Sequence, residues 1–353
     1  MITTIAKLVL RKYRPTIVAI TGSVGKTIVK QALRAVISRE HTVRVSAASD
    51  NDYAGALRTI IDGGLARGLA LLLRRDPEYP RVLLLEYGVD RDGDMERLLS
   101  LALPDVGVVT SFAPMQLAPA QTIERMIREK SILVSKGKRD GWTVLAYDDE
   151  QVRVVKARAR GRCITYGFDE AADVRAIEIA INQEVQEGSV VVTGTNFKLV
   201  YKGSAVPVHL SEVIGGQHIA AALAAAAVGI TMNMNLVAIS EGLGAYTSTP
   251  GRMRLLNGIK RTLLIDDTYT ASPVSCIAGL QGLDALAIRP GSEKFAVLGD
   301  MVPLGAYTEA GHREVGEKVA TVGVNYLITV GKFSRDIARA AREKGMPEER
   351  VYH

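Results

Sequence analysis

Residues 17–33, IVAITGSVGKTIVKQAL, constrain this chain more than any other stretch. A short β-branched run, TIVAIT, ends at a glycine, which is the pattern of a buried strand. From Thr27 onward, Ile28, Ala32, Ala35 and Val36 share one face, so a helix follows. Between them lies Gly22-Ser23-Val24-Gly25-Lys26-Thr27, spaced G-x-x-G-K-T rather than the common G-x-x-x-x-G-K-[ST]. A glycine turn entering a helix aims free backbone N–H groups and the positive end of the helix dipole at one spot. Lys26 adds a full charge there, and Thr27 offers a hydroxyl to a metal ion. The turn is built to hold phosphate.

The chain around it is long enough for more than one core. At 353 residues two or more domains are expected, and 47% hydrophobic with 5% aromatic residues points to an α/β protein packed with Ala, Val and Leu. Cys163 and Cys276 are too few for a disulfide framework or a cysteine-ligated zinc site, and fit core positions in a reducing compartment. The net charge of +6 is partly local. The first thirty residues carry Lys7, Arg11, Lys12, Arg14, Lys26 and Lys30 and no acid. Such an arm suits nucleic acid or an anionic membrane, but also a solvated helix face beside an anion site, and the absence of RNP-like aromatics and zinc fingers argues against nucleic acid. Residues 220–230, AAALAAAAVGI, are too short for a membrane span and read as a buried helix. With no signal-peptide order at the N-terminus, a cytoplasmic protein without a membrane span is expected.

Strand and helix patterns alternate from the start. Strands are expected at 16–21, 41–46, 81–87, 105–111, 142–147 and 162–167, and helices near 2–13, 27–38, 54–74, 94–103, 120–136 and 151–159. This alternation predicts a mostly parallel sheet covered on both faces, with ligands beyond the carboxyl ends of the strands. Residues 173–210 alternate as an antiparallel excursion, and helices resume at 216–231 and 235–246. YTSTPGR, 246–252, reads as a hinge. Beyond it, strands at 262–267, 294–299 and 325–330 interleave with helices near 273–287, 308–322 and 334–344, and ERVYH looks like the start of a further strand. The expected organisation is a helical extension at 1–15, a P-loop central domain with a mostly parallel sheet at 16–248, and a smaller Rossmann-like α/β domain at 249–353, whose hundred or so residues read either as a whole domain or as one lacking its last elements.

Several residues join the turn as candidates. Glu86 ends the strand RVLLLEYG, where a carboxylate serves a metal-bound nucleotide or merely caps the strand. Asp266 and Asp267, in LLIDDTYTASP, suit ribose hydroxyls or a metal, or an Asx-turn before Pro273. VLGDMVPLG, 297–305, is another strand ending in Gly-Asp that would face the same cleft. Arg252 lies on the hinge, where a cation reaches a phosphate as domains close. His218 opens the Ala-rich helix as a capping or packing residue, and no histidine has metal-site spacing. Lys130, in TIERMIREKSIL, carries no signal by itself.

The order of the pieces resembles the Mur ligases. TGSVGKT, LEYGVDRDGD, PDVGVVTS, an EK pair, AYDDE, GGQH, GRM, IDDTYTASP and LGDMVPLG occur in sequence over roughly residues 14–345. They are most similar to the branch that joins D-alanyl-D-alanine to a UDP-muramoyl tripeptide. The resemblance implies ATP and Mg2+ as cofactors and a reaction through an acyl phosphate. It implies that Gly22, Ser23, Val24, Gly25, Lys26 and Thr27 hold the ATP phosphates, with Lys26 and Lys130 catalytic. Thr27, Glu86 and a carbamylated Lys130 would then bind metal, and His218, Arg252, Asp267 and Tyr269 would engage the nucleotide. The acceptor implied is a UDP-muramoyl peptide or a smaller acidic molecule.

The chain also departs from the family pattern. Only about fifteen residues precede the first strand where the family carries a UDP-sugar domain, and the family's final G-D-x-V-L-V-K-G-S segment is missing. Gln116 stands where the family has a metal-site histidine, and Ile219 and Ala222 replace two asparagines, one of which contacts adenine. Thr268-Tyr269-Thr270-Ala271-Ser272-Pro273 replaces S-Y-N-A-N-P. The expectation is an ADP-forming, peptide-bond-making ligase. The alternative is a nucleotide-binding scaffold serving a complete ligase, and a partner chain could supply the missing substrate recognition.

Overall fold

The computed structural model describes residues 1–47, 50–112, 122–186, 189–301 and 304–353. The first part runs α1 (Ile2–Tyr13), β1 (Thr16–Thr21), α2 (Lys26–Ile37), β2 (Val43–Val45), α3 (Tyr53–Ile61), α4 (Leu65–Leu73), β3 (Val82–Glu86), α5 (Asp94–Leu101) and β4 (Val106–Val109). It continues through α6 (Ile123–Ser135), β5 (Trp142–Ala146), α7 (Glu150–Lys156), β6 (Arg162–Gly167), β7 (Val174–Gln186), β8 (Ser189–Tyr201), β9 (Ser204–Ser211), α8 (Gly216–Thr231) and α9 (Leu236–Gly244). One sheet collects these strands in the order β2-β3-β1-β4-β5-β6-β7-β8-β9. Pairing is parallel from β2 to the β6–β7 contact, and antiparallel through β7, β8 and β9, as the alternation predicts.

Strand period explains the two cores. On β1, Val18 and Ile20 face one way, into a core built with α2, α8 and α9. Ile17 and Ala19 face the other way, into a core with Ile5, Ala6 and Val9 of α1 and with residues of α3 and α5. Central strands buried on both faces read as the continuous apolar runs seen in the sequence. The chain leaves β1 toward β3 on one side and returns to β4 on the other, so the carboxyl end of β1 lies at a switch point where ligands bind.

One expected helix is two. Residues 54–74 break after Ile61, where Asp62 adopts a left-handed conformation (φ 61°) and Gly63-Gly64 follow, and the chain restarts as α4. The turn lets Gly68 of α4 pack against Ile5 of α1. Lys12 closes this contact by donating to the carbonyls of Leu71 and Leu72.

The second part comprises β10 (Arg254–Asn257), β11 (Leu263–Asp266), α10 (Pro273–Ala285), β12 (Phe295–Gly299), α11 (Thr308–Thr321), β13 (Tyr326–Val330), α12 (Arg335–Glu343) and β14 (Val351–Tyr352). β10 is a strand the sequence reading missed. It pairs antiparallel with β11, so the hinge feeds a ribbon rather than a loop. β12, β13 and β14 form a parallel sheet whose inner face packs on α10, α11 and α12. Its other face presents Phe295, Val297, Val330 and Tyr352 to solvent. Met253 ties the two parts together, buried in one cluster with Val192 of β8, Ile214 and Leu286.

Candidate functional site

The phosphate turn is shaped by its neighbours. Gly22 has φ 139°, and a Cβ there would lie 2.0 Å from Thr110 Oγ1 at the end of β4. Gly25, the N-cap of α2, has φ 85° with open space where a Cβ would project. One glycine thus admits the neighbouring strand, and the other leaves room for a ligand. Ser23 N donates to Ser111 O (2.7 Å) and Thr110 Oγ1 donates to Val24 O (2.6 Å), stapling the turn to the strand beside it. Lys26 Nζ curls back to donate to the carbonyls of Gly22 (2.9 Å) and Ser23 (3.3 Å). Burial lowers its pKa, and the nearby Glu86 carboxylate opposes that shift. With no acid in the first turn of α2, this pocket is left to an anion.

Glu86 reaches the same place from the end of β3 and is buried. Lys30, one turn beyond Lys26, places Nζ 2.9 Å from Glu86 Oε2. The contact is Coulombic, because Oε2 accepts no hydrogen bond among the described residues. Lys130 is buried as well, which a lysine inside a helix seldom is. α6 aims its Nζ at Ser23 Oγ (3.3 Å), while the adjacent Glu129 accepts from the backbone N–H groups of Gly93 and Met95 and so caps α5. Burial, and then the charge of Lys26, bring the Lys130 pKa down to about 7.

The second part supplies the opposite wall. Arg252, Asp267, Tyr269, Thr270 and Ser275 face Ser23, Val24, Gly25, Lys26, Thr27 and Glu86 across a cleft of about 140 Å³, with Asn51 and Gln217 at its sides. The Arg252 guanidinium stacks over Tyr269, 4.2 Å from the ring centre. Asp267 Oδ1 accepts from Met253 N (3.2 Å), and burial raises its pKa. Its neighbour Asp266 is occupied by the turn, accepting from Gly251 N and from the Thr268 backbone and hydroxyl. Of the Asp pair, only Asp267 lines the cleft.

Several expectations need correction. His218 does not line the cleft. It is fully buried, with Nδ1 2.7 Å from Tyr246 Oη and Nε2 3.2 Å from the Arg252 carbonyl, so its ring is held against the hinge. Ile219 and Ala222 also point into the core of the first sheet, because a helix packed on α2 turns those positions inward. Asp300, expected at the cleft, accepts from the backbone N–H groups of Lys332, Phe333 and Ser334 and is held at the turn after β13. Pro114, Met115, Gln116 and Leu117 lie outside the described residues. Lys30 was missed, because it lies across the helix from the face that Ile28, Ala32, Ala35 and Val36 define; the structure extends the buried side over Val29, Leu33 and Ile37 and takes Lys30 in with them. Asn51, Gln217, Thr270 and Ser275 gave no signal, since short polar residues are common in turns and caps.

Among the described residues no cluster of three or more His, Cys, Asp or Glu side chains is placed to hold a metal. The Glu86 carboxylate and the Thr27 hydroxyl are nevertheless hard oxygen donors at one cleft, and among the described residues buried Oε2 accepts no hydrogen bond and has the Lys30 charge beside it. That donor set fits a magnesium ion completed by phosphate oxygens.

A glycine-lysine turn at the switch point of a parallel sheet places the chain in the class of P-loop α/β proteins. Family models narrow this further. The Mur ligase middle domain matches residues 20–229, and the Mur ligase glutamate ligase domain matches residues 251–353. The chain belongs to the Mur ligase family. UDP-N-acetylmuramoyl-tripeptide–D-alanyl-D-alanine ligase of Escherichia coli (strain K12) is 30% identical over 327 residues, covering 92% of this chain and 66% of that protein. The Bacillus subtilis (strain 168) protein of the same name is 27% identical over 349 residues, covering 99% and 70%. The chain therefore spans about two thirds of the length of these relatives. Among solved structures, MurF from Acinetobacter baumannii superposes with a TM-score of 0.80 at 21% identity, covering 99% of this chain and 70% of that one. MurF ligase from Thermotoga maritima in complex with ADP gives 0.78 at 22%, covering 99% and 73%. These likenesses show that the fold is shared.

Proposed function

We propose that the chain binds ATP and magnesium and joins a carboxylate to an amine, with a UDP-muramoyl peptide precursor of the cell wall as one substrate. The observation that carries this is the cleft itself: Lys26, Thr27 and Glu86 on one wall, Arg252, Asp267 and Tyr269 on the other. Both named relatives in Escherichia coli and Bacillus subtilis join D-alanyl-D-alanine to a UDP-muramoyl tripeptide, and the structure of the Thermotoga maritima protein holds ADP.

In this reading the acceptor carboxylate attacks the γ-phosphorus of ATP, and the bond to the β-phosphate oxygen breaks to release ADP. An amine then attacks the acyl carbon, and the tetrahedral intermediate expels phosphate as the amide forms and the amine loses its proton. Lys26 leaves its two carbonyl partners for the phosphate chain and neutralises charge on the transferring group. Arg252 and Tyr269 hold the nucleotide from the other side, and Asp267 accepts hydrogen bonds from its ribose. Thr27 and Glu86 would hold magnesium, which supplies positive charge to the phosphates. Lys130, carbamylated by CO₂, would add a second carboxylate beside Ser23.

The test is ADP release from ATP in the presence of UDP-muramoyl tripeptide and D-alanyl-D-alanine, with the product identified by mass. An amide product formed only when all three are present supports the reading. ATP binding without any such product would favour a nucleotide-binding scaffold.

A further inference from the structure

Lys30 and Glu86 form an ion pair almost free of solvent, with side-chain exposures of 1% and 3%. A buried ammonium needs its partners, and Lys30 finds the others in Ser46 Oγ (3.4 Å) and the carbonyl of Ala47 (3.3 Å), just past β2. It is therefore anchored to the sheet edge on one side and to Glu86 on the other. Among the described residues Glu86 Oε2 accepts no hydrogen bond that would set its orientation, so this charge contact holds that oxygen toward the helix. The same side chain lines the cleft beside Thr27.

We propose that Lys30 is a positioning residue that serves as the resident counter-charge of Glu86 and makes divalent-cation binding at this carboxylate depend on the nucleotide. The inference rests on Glu86 being a cation ligand. A divalent ion arriving alone meets a carboxylate already neutralised and an ammonium that repels it. When a nucleotide occupies the turn, its phosphate oxygens restore the negative charge, and ion and nucleotide bind together. Lys26 also feels the Glu86 charge, but its hydrogen bonds go to Gly22 and Ser23, and the 2.9 Å ion pair with Glu86 is made by Lys30.

The experiment measures Mn2+ binding by electron paramagnetic resonance, with and without ADP, in the parent chain and in Lys30→Met, Glu86→Gln and the double variant. The parent should bind Mn2+ weakly alone and far more tightly with ADP. Lys30→Met should bind Mn2+ alone at least ~10-fold more tightly than the parent, because the carboxylate loses its internal cation. It should also melt lower without metal and regain stability with Mn2+. The double variant, which removes both charges, should melt above Lys30→Met, and it keeps the test decisive if the single variant folds poorly. Unchanged Mn2+ affinity in Lys30→Met, or a double variant that melts as low as the single one, overturns the inference and leaves Lys30 a packing residue. If Glu86→Gln leaves Mn2+ binding with ADP intact, the metal reading of Glu86 fails and takes the inference with it.

Discussion

His218 Nε2 lies 3.2 Å from the carbonyl oxygen of Arg252, joining the start of the long alanine-rich helix to the residue that reaches across the cleft. A carbonyl only accepts, so Nε2 carries the proton, and Nδ1 accepts from the Tyr246 hydroxyl 2.7 Å away. Ser248 Oγ donates to the same Arg252 carbonyl. The backbone of Arg252 is thus fixed from the first part of the chain, while its guanidinium rests on Tyr269 of the second.

This network requires a neutral imidazole, and burial drives the His218 pKa from 6.5 down to about 4. Between those values the unfolded chain binds a proton at His218 and the folded one does not. Its contribution to stability is therefore complete above pH 6.5 and is lost as pH falls toward 4, by about 1.4 kcal/mol per unit at most. Urea unfolding of the parent and of His218→Gln across pH 4–7 should give curves that converge as pH falls. A pH-independent difference would show that His218 is not buried as the neutral form.

Lys26→Ala should weaken ATP binding by about 1.5–3 kcal/mol, the range for a hydrogen bond to a charged group. Calorimetric titration of ATP and ADP against the variant checks this. The fold should persist, because among the described residues the Lys26 side chain bonds only to carbonyls of its own turn. Affinity equal to the parent's would place the phosphate site elsewhere.

The glycine-lysine turn between β1 and α2 was readable because strand, glycine spacing and helix agree over a dozen residues. Lys130 shows the opposite case. Its burial comes from where α6 lies beside the turn, a packing relation that helical periodicity does not encode, and only the family resemblance singled it out. The resemblance set His218 against the nucleotide and Ala222 where the family has an adenine-contacting asparagine, yet the packing of α8 on α2 turns both positions into the protein. The helix break at Asp62 and the ribbon strand at Arg254–Asn257 depend on local dihedral choices that apolar spacing hides. Glu86 and Asp267 were each left open between cap and ligand, and both prove to line the cleft.

With Ala222 buried, the cleft amide on α8 is Gln217, whose Nε2 stands 3.5 Å from Ser275 O. A base read by this one amide should be selected weakly, so ATP should be preferred over GTP by ~10-fold or less, the worth of one neutral hydrogen bond of about 0.5–1.5 kcal/mol. Gln217→Ala should narrow the ratio further while leaving ADP and GDP affinities within ~10-fold of the parent's. Competition against a fluorescent nucleotide measures both. A ratio above 100-fold in the parent would mean that another group reads the base edge.

Lys130 has a pKa of about 7 and points at Ser23, so near neutral pH a large fraction is the free amine that reacts with CO₂. In the proposed carbamylation the amine nitrogen would form a bond to the carbon of CO₂ and lose a proton to solvent, leaving a carboxylate at the end of the side chain. Below pH 7 the ammonium dominates and the reaction should fade; above it the carbamate should accumulate, favoured further by bicarbonate and by a divalent cation that needs the new oxygen ligand. Carbon-13 bicarbonate should give a carbamate resonance in the parent that is absent from Lys130→Ala. Turnover in that variant should fall by at least ~100-fold, as for loss of a group that acts on transition-state charge, and short carboxylates such as acetate should restore part of it. A parent chain with no carbamate signal at pH 8 in saturating bicarbonate and magnesium would leave Lys130 an amine hydrogen-bonded to Ser23, and would remove the second carboxylate from the proposed chemistry.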